Sequence, residues 1–326
     1  MSIDNKCVFS IKNDVDFNEL ALQIFLYQYN NNHIYKKFVD LIHKDISKIK
    51  HYSHIPFLPI DFFKNHLIST YSKQPLSYFE SSGSGGFKSK HYYISLDVYE
   101  RSFEKCFERF YGKPEKYSFL ALLPAYADNP HSSLIYMVNS LIKKSTCRFS
   151  GFYHNNEENL FEVLQKLKKE NKAVILLGVS FALLDFCKKY KIDFSELIVI
   201  ETGGMKGRRK EIIRDDLHEI LKHAFGVNQI HSEYGMTELF SQAYSKAKGI
   251  FVPPTWMKVF IREINDPLNI NKKGSGAINI IDLANMNSCS FIATDDIGTV
   301  LPNGKFMISG RLDNSQMRGC SMLTLD

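Results

Sequence analysis

No stretch of this sequence approaches the ~20 consecutive apolar residues that a membrane-spanning helix needs. Residues 1–14 alternate charged and apolar side chains and carry no hydrophobic segment of signal-peptide length. Disulfide and zinc frameworks are missing as well. The six cysteines stand at 7, 106, 147, 187, 289 and 320, form no Cys-x-x-Cys, and have no nearby histidine in zinc spacing. In a chain of 326 residues this points to reduced thiols and a cytoplasmic location. Basic residues never run longer than Lys206 to Lys210, and the net charge of +6 is spread along the chain. That distribution favours small anionic ligands over a nucleic-acid footprint. Internal repeats are absent, and only one segment is of low complexity. What remains is 44% hydrophobic and 23% charged, rich in Phe (25) and Tyr (17) with a single Trp. This is the balance of a globular protein large enough to bury a sizeable core.

The low-complexity segment is Glu80-Ser81-Ser82-Gly83-Ser84-Gly85-Gly86-Phe87-Lys88-Ser89-Lys90. Small residues let the backbone curl and bring successive N–H groups to one point. Serine hydroxyls and lysine ammonium groups add donors and charge, which is the chemistry of a polyphosphate cradle. The spacing is neither a P-loop nor Gly-x-Gly-x-x-Gly after a strand. Taken alone, such a run is also what a flexible surface loop looks like.

Apolar spacing over residues 17–48 reads as two helices broken at Tyr29–His33, followed by an extended Ile55–Ile60 segment punctuated by prolines and a short helix around Phe62 and Phe63. Tyr78 and Phe79 read as a strand entering the Ser/Gly loop, and Tyr92 to Ile94 as the chain leaving it. Helices are expected at 96–111, 132–142, 157–171, 181–190 and 209–225, the last closing at Gly226. Short apolar runs at 118–124, 173–178, 197–200 and 227–230 read as buried strands. Strands alternating with helices imply a largely parallel α/β sheet, with ligands at the carboxyl ends of strands. Thr202-Gly203-Gly204 and His231-Ser232-Glu233-Tyr234-Gly235-Met236-Thr237-Glu238 fall at such ends. From Val252 the pattern changes to short strands separated by turns, an antiparallel subdomain of about 60–70 residues. This divides the chain into a helical lead-in (1–50), an α/β core (51–250), a β-rich subdomain (251–313) and a tail (314–326).

Four features stand in order: the loop at 81–90, Thr202-Gly203-Gly204, Tyr234-Gly235-Met236-Thr237-Glu238, and Thr294-Asp295-Asp296-Ile297-Gly298 with Gly310-Arg311-Leu312-Asp313. Singly, each has a plain structural alternative. Tyr-Gly-x-Thr-Glu is also a turn leading into a helix capped by Thr237, and Asp295-Asp296-x-Gly is also a common turn. Together, over residues 50–326, they resemble the adenylate-forming superfamily of acyl-CoA synthetases and phenylacetate-CoA ligases. Within it the chain is most similar to the acyl-protein synthetase (LuxE-type) family. That likeness is carried by Ser232–Leu239 with Ser241-Gln242-Ala243-Tyr244, by Gly178–Asp185, by Ser132–Met137 and by Arg318-Gly319-Cys320.

The resemblance implies an adenylate-forming N-terminal domain: largely parallel sheets layered with helices, plus a small antiparallel subdomain that completes the nucleotide site. It implies ATP and Mg2+ as cofactors, conversion of a carboxylic acid of the fatty class to acyl-AMP, and acyl transfer to a thiol. Ser81, Ser82, Gly83, Ser84, Gly85, Gly86, Lys88 and Lys90 would hold the β- and γ-phosphates. Thr237 would donate to the α-phosphate, and Glu238 would ligate the metal. Tyr234, Gly235, Gly203 and Gly204 would flank the adenine, Asp296 would take the ribose hydroxyls, and Arg311 would sit near ribose and phosphate. Cys320 would accept the acyl group, and a fatty-acid reductase or other acceptor protein would take it onward. Only 13 residues follow Asp313, so the large C-terminal domain of most superfamily members, with its lysine, is not expected. Two alternatives stay open: a phenylacetate-CoA-ligase-like synthetase or acyltransferase of surface-polysaccharide or secondary metabolism, and a non-catalytic scaffold subunit of a reductase complex. His131 and His231 are further site candidates, His131 more readily as a backbone-bonded residue. Tyr136, Phe181, Ala182 and Leu183 are candidates for an acyl pocket or for the core.

Overall fold

A computed structural model describes residues 4–43, 45–71, 77–82, 88–124, 128–203 and 213–312. Two six-stranded sheets organise the chain. The first runs in the order Gly151–Phe152, Ser118–Leu122, Val174–Val179, Ile198–Thr202, His231–Tyr234, Ala243–Ser245. All its pairings are parallel except the last. Its central strands are apolar on both faces, as parallel strands covered by helices must be. The helices Ser133–Lys144, Glu157–Lys169, Ser180–Lys189 and Arg214–Phe225 lie between successive strands in the chain. Glu157–Lys169 shows why such a segment folds. Asn156 caps it, Glu157 and Glu158 fill its first turn and Lys166, Lys168 and Lys169 its last, matching the helix dipole. Leu160, Val163, Leu164 and Leu167 form its buried stripe.

The Val227–Ile230 strand expected from sequence is not formed; the strand begins at His231. Helix Arg214–Phe225 ends at Gly226 in the left-handed conformation (φ +66°), and an added Cβ there would lie 2.4 Å from Asp193 Oδ1. The Val227 N–H then bonds back to the Lys222 carbonyl at 3.2 Å. These residues cap the helix rather than join a ladder. The displacement matters, because His231–Tyr234 is itself the strand and its carboxyl end falls at Tyr234-Gly235.

The second sheet joins Met257–Arg262, Ile270–Asn271, Gly274–Asp282 and Phe291–Val300 as antiparallel neighbours. Phe306–Arg311 pairs antiparallel with the far half of Phe291–Val300, and Leu58–Pro59 pairs parallel with its near half. The extended segment near residue 58 therefore belongs to the β-rich sheet and not to the α/β core. Thr294–Gly298 is the middle of a ten-residue strand rather than a turn. Gly298 is required there, since a Cβ would sit 2.1 Å from the Met307 carbonyl oxygen.

The N-terminal helices Asp14–Asn31 and His33–Ile42 break at Asn32, within the expected interruption. They pack on this second sheet, with Tyr35 stacked on Phe291 at 6.1 Å. Fully buried Gln28 fixes the turn before Phe291. Its Nε2 donates to Asn285 O, Met286 O and Ser290 Oγ at 3.0–3.1 Å, and its Oε1 accepts from Ser290 N at 3.0 Å. Asn32 Nδ2 adds a bond to Ser288 O at 3.0 Å. Gln28→Leu keeps the apolar stem but strands these buried backbone groups, at a cost of about 2–3 kcal/mol. Chemical denaturation is the check; a change under about 0.5 kcal/mol, typical of a surface site, would show that the turn holds without Gln28.

Candidate active site

The candidate site is built at the carboxyl end of His231–Tyr234. Gly235 is exposed, Thr237 half-buried and Glu238 only 5% exposed. No helix follows; the chain turns at Thr237–Glu238 and runs on to Ala243–Ser245, so the capped-helix alternative falls. The turn is held from the second sheet. Asp282, fully buried, accepts from Phe240 N (3.0 Å) and Ser241 N (2.9 Å) on Oδ2, and from Ser241 Oγ (2.6 Å) and Ala284 N (3.0 Å) on Oδ1. Asn285 accepts from Phe240 N at 2.9 Å and donates to Glu238 O at 2.6 Å. Burial pushes the Asp282 carboxyl up to about 6 even against these donors.

Tyr234 reaches across to the same sheet, its hydroxyl donating to Asp296 Oδ2 at 2.7 Å. Burial first, then the Asp296 charge, raises its phenol well above the ordinary tyrosine range, so it remains a donor. Asp296 lies opposite Arg311 in the strand register and accepts from Arg311 Nε at 3.1 Å. The Arg311 side chain is 71% exposed, so its guanidinium faces solvent at the mouth of the site. The strand bearing Arg311 is anchored by Arg214, whose Nη1 donates to Ile308 O at 3.1 Å while its Nε lies 3.8 Å from Glu201. Burial raises the Glu238 carboxyl above its ordinary value; the nearby Ser89 hydroxyl and the Arg311 charge oppose this, and Asp296 adds to it.

Ser77–Glu80 and Lys90–Tyr93 form the antiparallel stem of the Ser/Gly loop. Ser81 and Ser89 close it, with Ser81 N to Ser89 O at 3.0 Å and Ser89 N to Ser81 Oγ at 2.9 Å. Alternation divides this stem into two faces. Ser89 and His91 point at the Thr237–Glu238 turn, where His91 Nδ1 lies 3.0 Å from Thr237 O. Lys88, Lys90 and Tyr92 line instead an open cleft of about 500 Å3 with Phe63 to Leu67. Lys88 pairs with Glu80 at 2.8 Å, and Lys90 lies 4.5 Å from the centre of the Tyr78 ring. Ser82 is exposed at the last described position before the loop. Gly203 is exposed at the end of Ile198–Thr202 with φ +74°. Gly83, Ser84, Gly85, Gly86, Gly204 and Cys320 lie outside the described residues.

His131 stacks on Tyr78 (4.6 Å), and its Nδ1 lies 3.0 Å from Tyr78 O, a backbone-bonded histidine as expected. His231 is at the opposite end of its strand from Tyr234, against the Tyr111 hydroxyl at 3.1 Å, and serves the core. Ala182 and Leu183 are buried, Leu183 so close beneath Gly178 that a Cβ there would lie 2.9 Å from its Cγ.

With this geometry in hand, comparison with known proteins is decisive about kinship. The family model described as "Acyl-protein synthetase, LuxE" matches residues 9–325. The chain belongs to the LuxE acyl-protein synthetase family. A search of curated proteins gave no match. Solved structures of adenylate-forming enzymes share its fold. An ATP-bound chimera of RpMatB and BxBclM aligns with a TM-score of 0.53 at 14% identity, over 72% of this chain and 47% of the other. ATP-bound MatB from Rhodopseudomonas palustris gives 0.50 at 14%, over 72% and 47%. O-succinylbenzoate coenzyme A synthetase (MenE) from Bacillus subtilis, in complex with ATP and a magnesium ion, gives 0.50 at 14%, over 72% and 49%. The chain thus spans about half the length of these proteins. The architecture is the fold of the N-terminal domain of adenylate-forming enzymes.

Sequence reasoning missed Ser89, His91, Asp282 and Asn285 as members of the site. The alternation Lys88-Ser89-Lys90-His91-Tyr92 was the available signal for the first two. His91 is 1% exposed and burial holds its imidazole down to about 4, against an unfolded value near 6.5. Its native pKa lies below its unfolded pKa, so its contribution to stability is complete above pH 6.5 and is lost as pH falls toward 4. The stability difference between wild type and His91→Asn is expected to shrink by about 3 kcal/mol between pH 7 and 4. Urea denaturation at each pH measures it, and a pH-independent difference would contradict a neutral buried His91.

Proposed function

We propose that the Glu238 end of the first sheet activates a carboxylic acid of the fatty class with ATP. An acid oxygen attacks the α-phosphorus, the bond to the bridging oxygen breaks, and pyrophosphate leaves. A thiolate then attacks the acyl carbon of acyl-AMP, and AMP departs. The observation that carries this reading is the closeness of Ser89, at the foot of the Ser/Gly loop, to the buried Glu238 carboxylate, within electrostatic reach of Arg311 and Asp296. It joins a polyphosphate-type loop, a buried carboxylate and a cation in one place, which is what in-line transfer from a polyphosphate requires.

In this reading the loop at 81–90 holds the pyrophosphate through its N–H groups and the hydroxyls of Ser81, Ser82 and Ser84, with Lys88 and Lys90 at its outer side. Thr237 donates to the α-phosphate. Gly203, Gly204, Tyr234 and Gly235 flank the adenine, and Asp296 keeps lone pairs for ribose hydroxyls beyond those used by Tyr234 and Arg311. The donor set fits magnesium rather than a protein-caged metal. Among the described residues no lysine pairs with the buried Glu238 carboxylate, and no group of three metal-ligating side chains occurs. Held by Glu238 and phosphate oxygens, Mg2+ supplies neutralisation of the polyphosphate charge. Cys320 is the proposed acyl acceptor. Burial pushes Cys187 and Cys289 up to about 12 and Cys106 further still, which disqualifies three other thiols as nucleophiles. A reductase or acyl-acceptor protein is the proposed consumer of the acyl group.

Acid-dependent exchange of pyrophosphate into ATP, run over a panel of acids, tests the reading. Fatty acids are expected to support exchange, and Glu238→Ala to lower it at least about 100-fold (near 2.7 kcal/mol) with unchanged circular dichroism. No exchange with any acid would favour the scaffold alternative; exchange confined to small aromatic acids would favour the phenylacetate-CoA-ligase-like one. Cys320→Ser is expected to retain exchange but to lose acid-stable label from a radioactive acyl donor. Label retained on that variant removes Cys320 from the mechanism.

A further inference from the structure

We propose that His91 is the positioning residue that sets the backbone, and thereby the carboxylate direction, of Glu238. The inference rests on the acid-activating reading above and adds to it a residue with no ligand contact of its own. Two peptide planes bracket the Glu238 Cα. The one that follows it carries Glu238 O and is fixed by Asn285 Nδ2 at 2.6 Å. The one that precedes it carries Thr237 O, 3.0 Å from His91 Nδ1. With both planes held, φ and ψ of Glu238 are no longer free, and its Cα–Cβ bond has one origin and one direction.

The ring is itself fixed on every side. Thr237 O can only accept, so Nδ1 carries the proton and Nε2 accepts from the Ser288 hydroxyl at 2.7 Å. Ser288 belongs to the turn clamped by the N-terminal helices, its carbonyl taking the Asn32 bond. The imidazole stacks on Phe240 at 4.4 Å and meets the Phe63 ring edge-on at 5.7 Å. Ser89, two residues earlier on the same face, brings its hydroxyl beside the Glu238 carboxylate. One short stretch therefore reaches both the head and the backbone of the metal-binding candidate. A histidine in this setting supplies a single N–H at a defined point, with the tautomer set from the far side of the ring, the arrangement by which outer partners orient ligating groups.

Asparagine and glutamine separate this role from packing. The Asn amide nitrogen falls near the position of Nδ1 and the Gln amide nitrogen near that of Nε2, while both are polar and smaller than the ring. In the pyrophosphate exchange assay at saturating acid, His91→Asn is expected to keep kcat within about threefold of wild type. His91→Gln and His91→Phe are expected to lose about 10–100-fold in kcat, with a matching rise in the Mg2+ concentration needed for half-activity. Melting temperatures taken alongside separate loss of fold from loss of alignment. The proposal is overturned if Asn and Gln variants of equal stability behave alike, or if His91→Phe exchanges like wild type. Should His91→Phe not fold, the Asn–Gln comparison decides alone. A wild-type protein without exchange would sink the underlying reading instead, a result distinct from either.

Discussion

A buried carboxylate ties the two sheets together, and the site exists because of it. Asp282 ends a strand of the antiparallel sheet and receives two backbone N–H groups and a hydroxyl from Phe240-Ser241, which belong to the parallel sheet's connection. Only a carboxylate offers acceptors on both oxygens; an amide would turn an NH2 toward donors on one side. The Ser241 hydroxyl is in turn met by Trp256 Nε1 at 2.8 Å and by Ser102 at 3.0 Å, drawing the helix Asp97–Tyr111 into the same network. Burying this charge is costly, and the raised pKa shows that the donors offset only part of the cost. The return is positional. Glu238 is two residues before Phe240, so the turn that carries it has its far end fixed.

Around Glu238 the balance is deliberately incomplete. Burial and the Asp296 charge oppose its ionisation, while the nearby Ser89 hydroxyl and the exposed Arg311 favour it. In the proposed reading a carboxylate in that state would gain from a cation bound with phosphate oxygens, because the positive charge would offset the desolvation cost that the protein alone leaves in place. Asp296 differs. Tyr234 and Arg311 already bond to its two oxygens, so it suits the neutral hydroxyls of a sugar better than a metal.

How much of this was legible in the sequence depended on the range of the interaction. Helices and parallel strands followed from apolar spacing, because a buried helix stripe recurs every three or four residues and a strand covered on both faces is a short continuous apolar run. The ordered motifs pointed to the fold and to the corner of the sheet where the site lies. Errors came where tertiary contacts overrode local signals. Val227 and Ile230 are β-formers used to close a helix, Asp295-Asp296-Ile297-Gly298 has turn composition but strand pairing, and Leu58–Pro59 joins a strand more than 230 residues away. Asp282, Asn285 and Gln28 were illegible, since a polar residue in a sequence gives no sign that it will be buried. The glycines of the loop and Cys320 fall outside the described residues, and their roles stand on kinship alone.

The parity of one short strand explains a choice that composition conceals. The loop's foot holds two lysines, yet it is serine and histidine that meet the motif. A register one residue different would bring Lys88 and Lys90 inward, and every side chain of the strand would change faces. A lysine buried against Glu238 would form an ion pair that costs about 3–5 kcal/mol to leave unpaired, and an arriving cation would have to displace it. A serine hydroxyl beside the same carboxylate carries no charge of its own and can rotate away to leave both oxygens open. With Ser89 and His91 inside, Glu238 meets no ammonium from this strand, while outside Lys88 pairs with Glu80 and Lys90 lies over the Tyr78 ring.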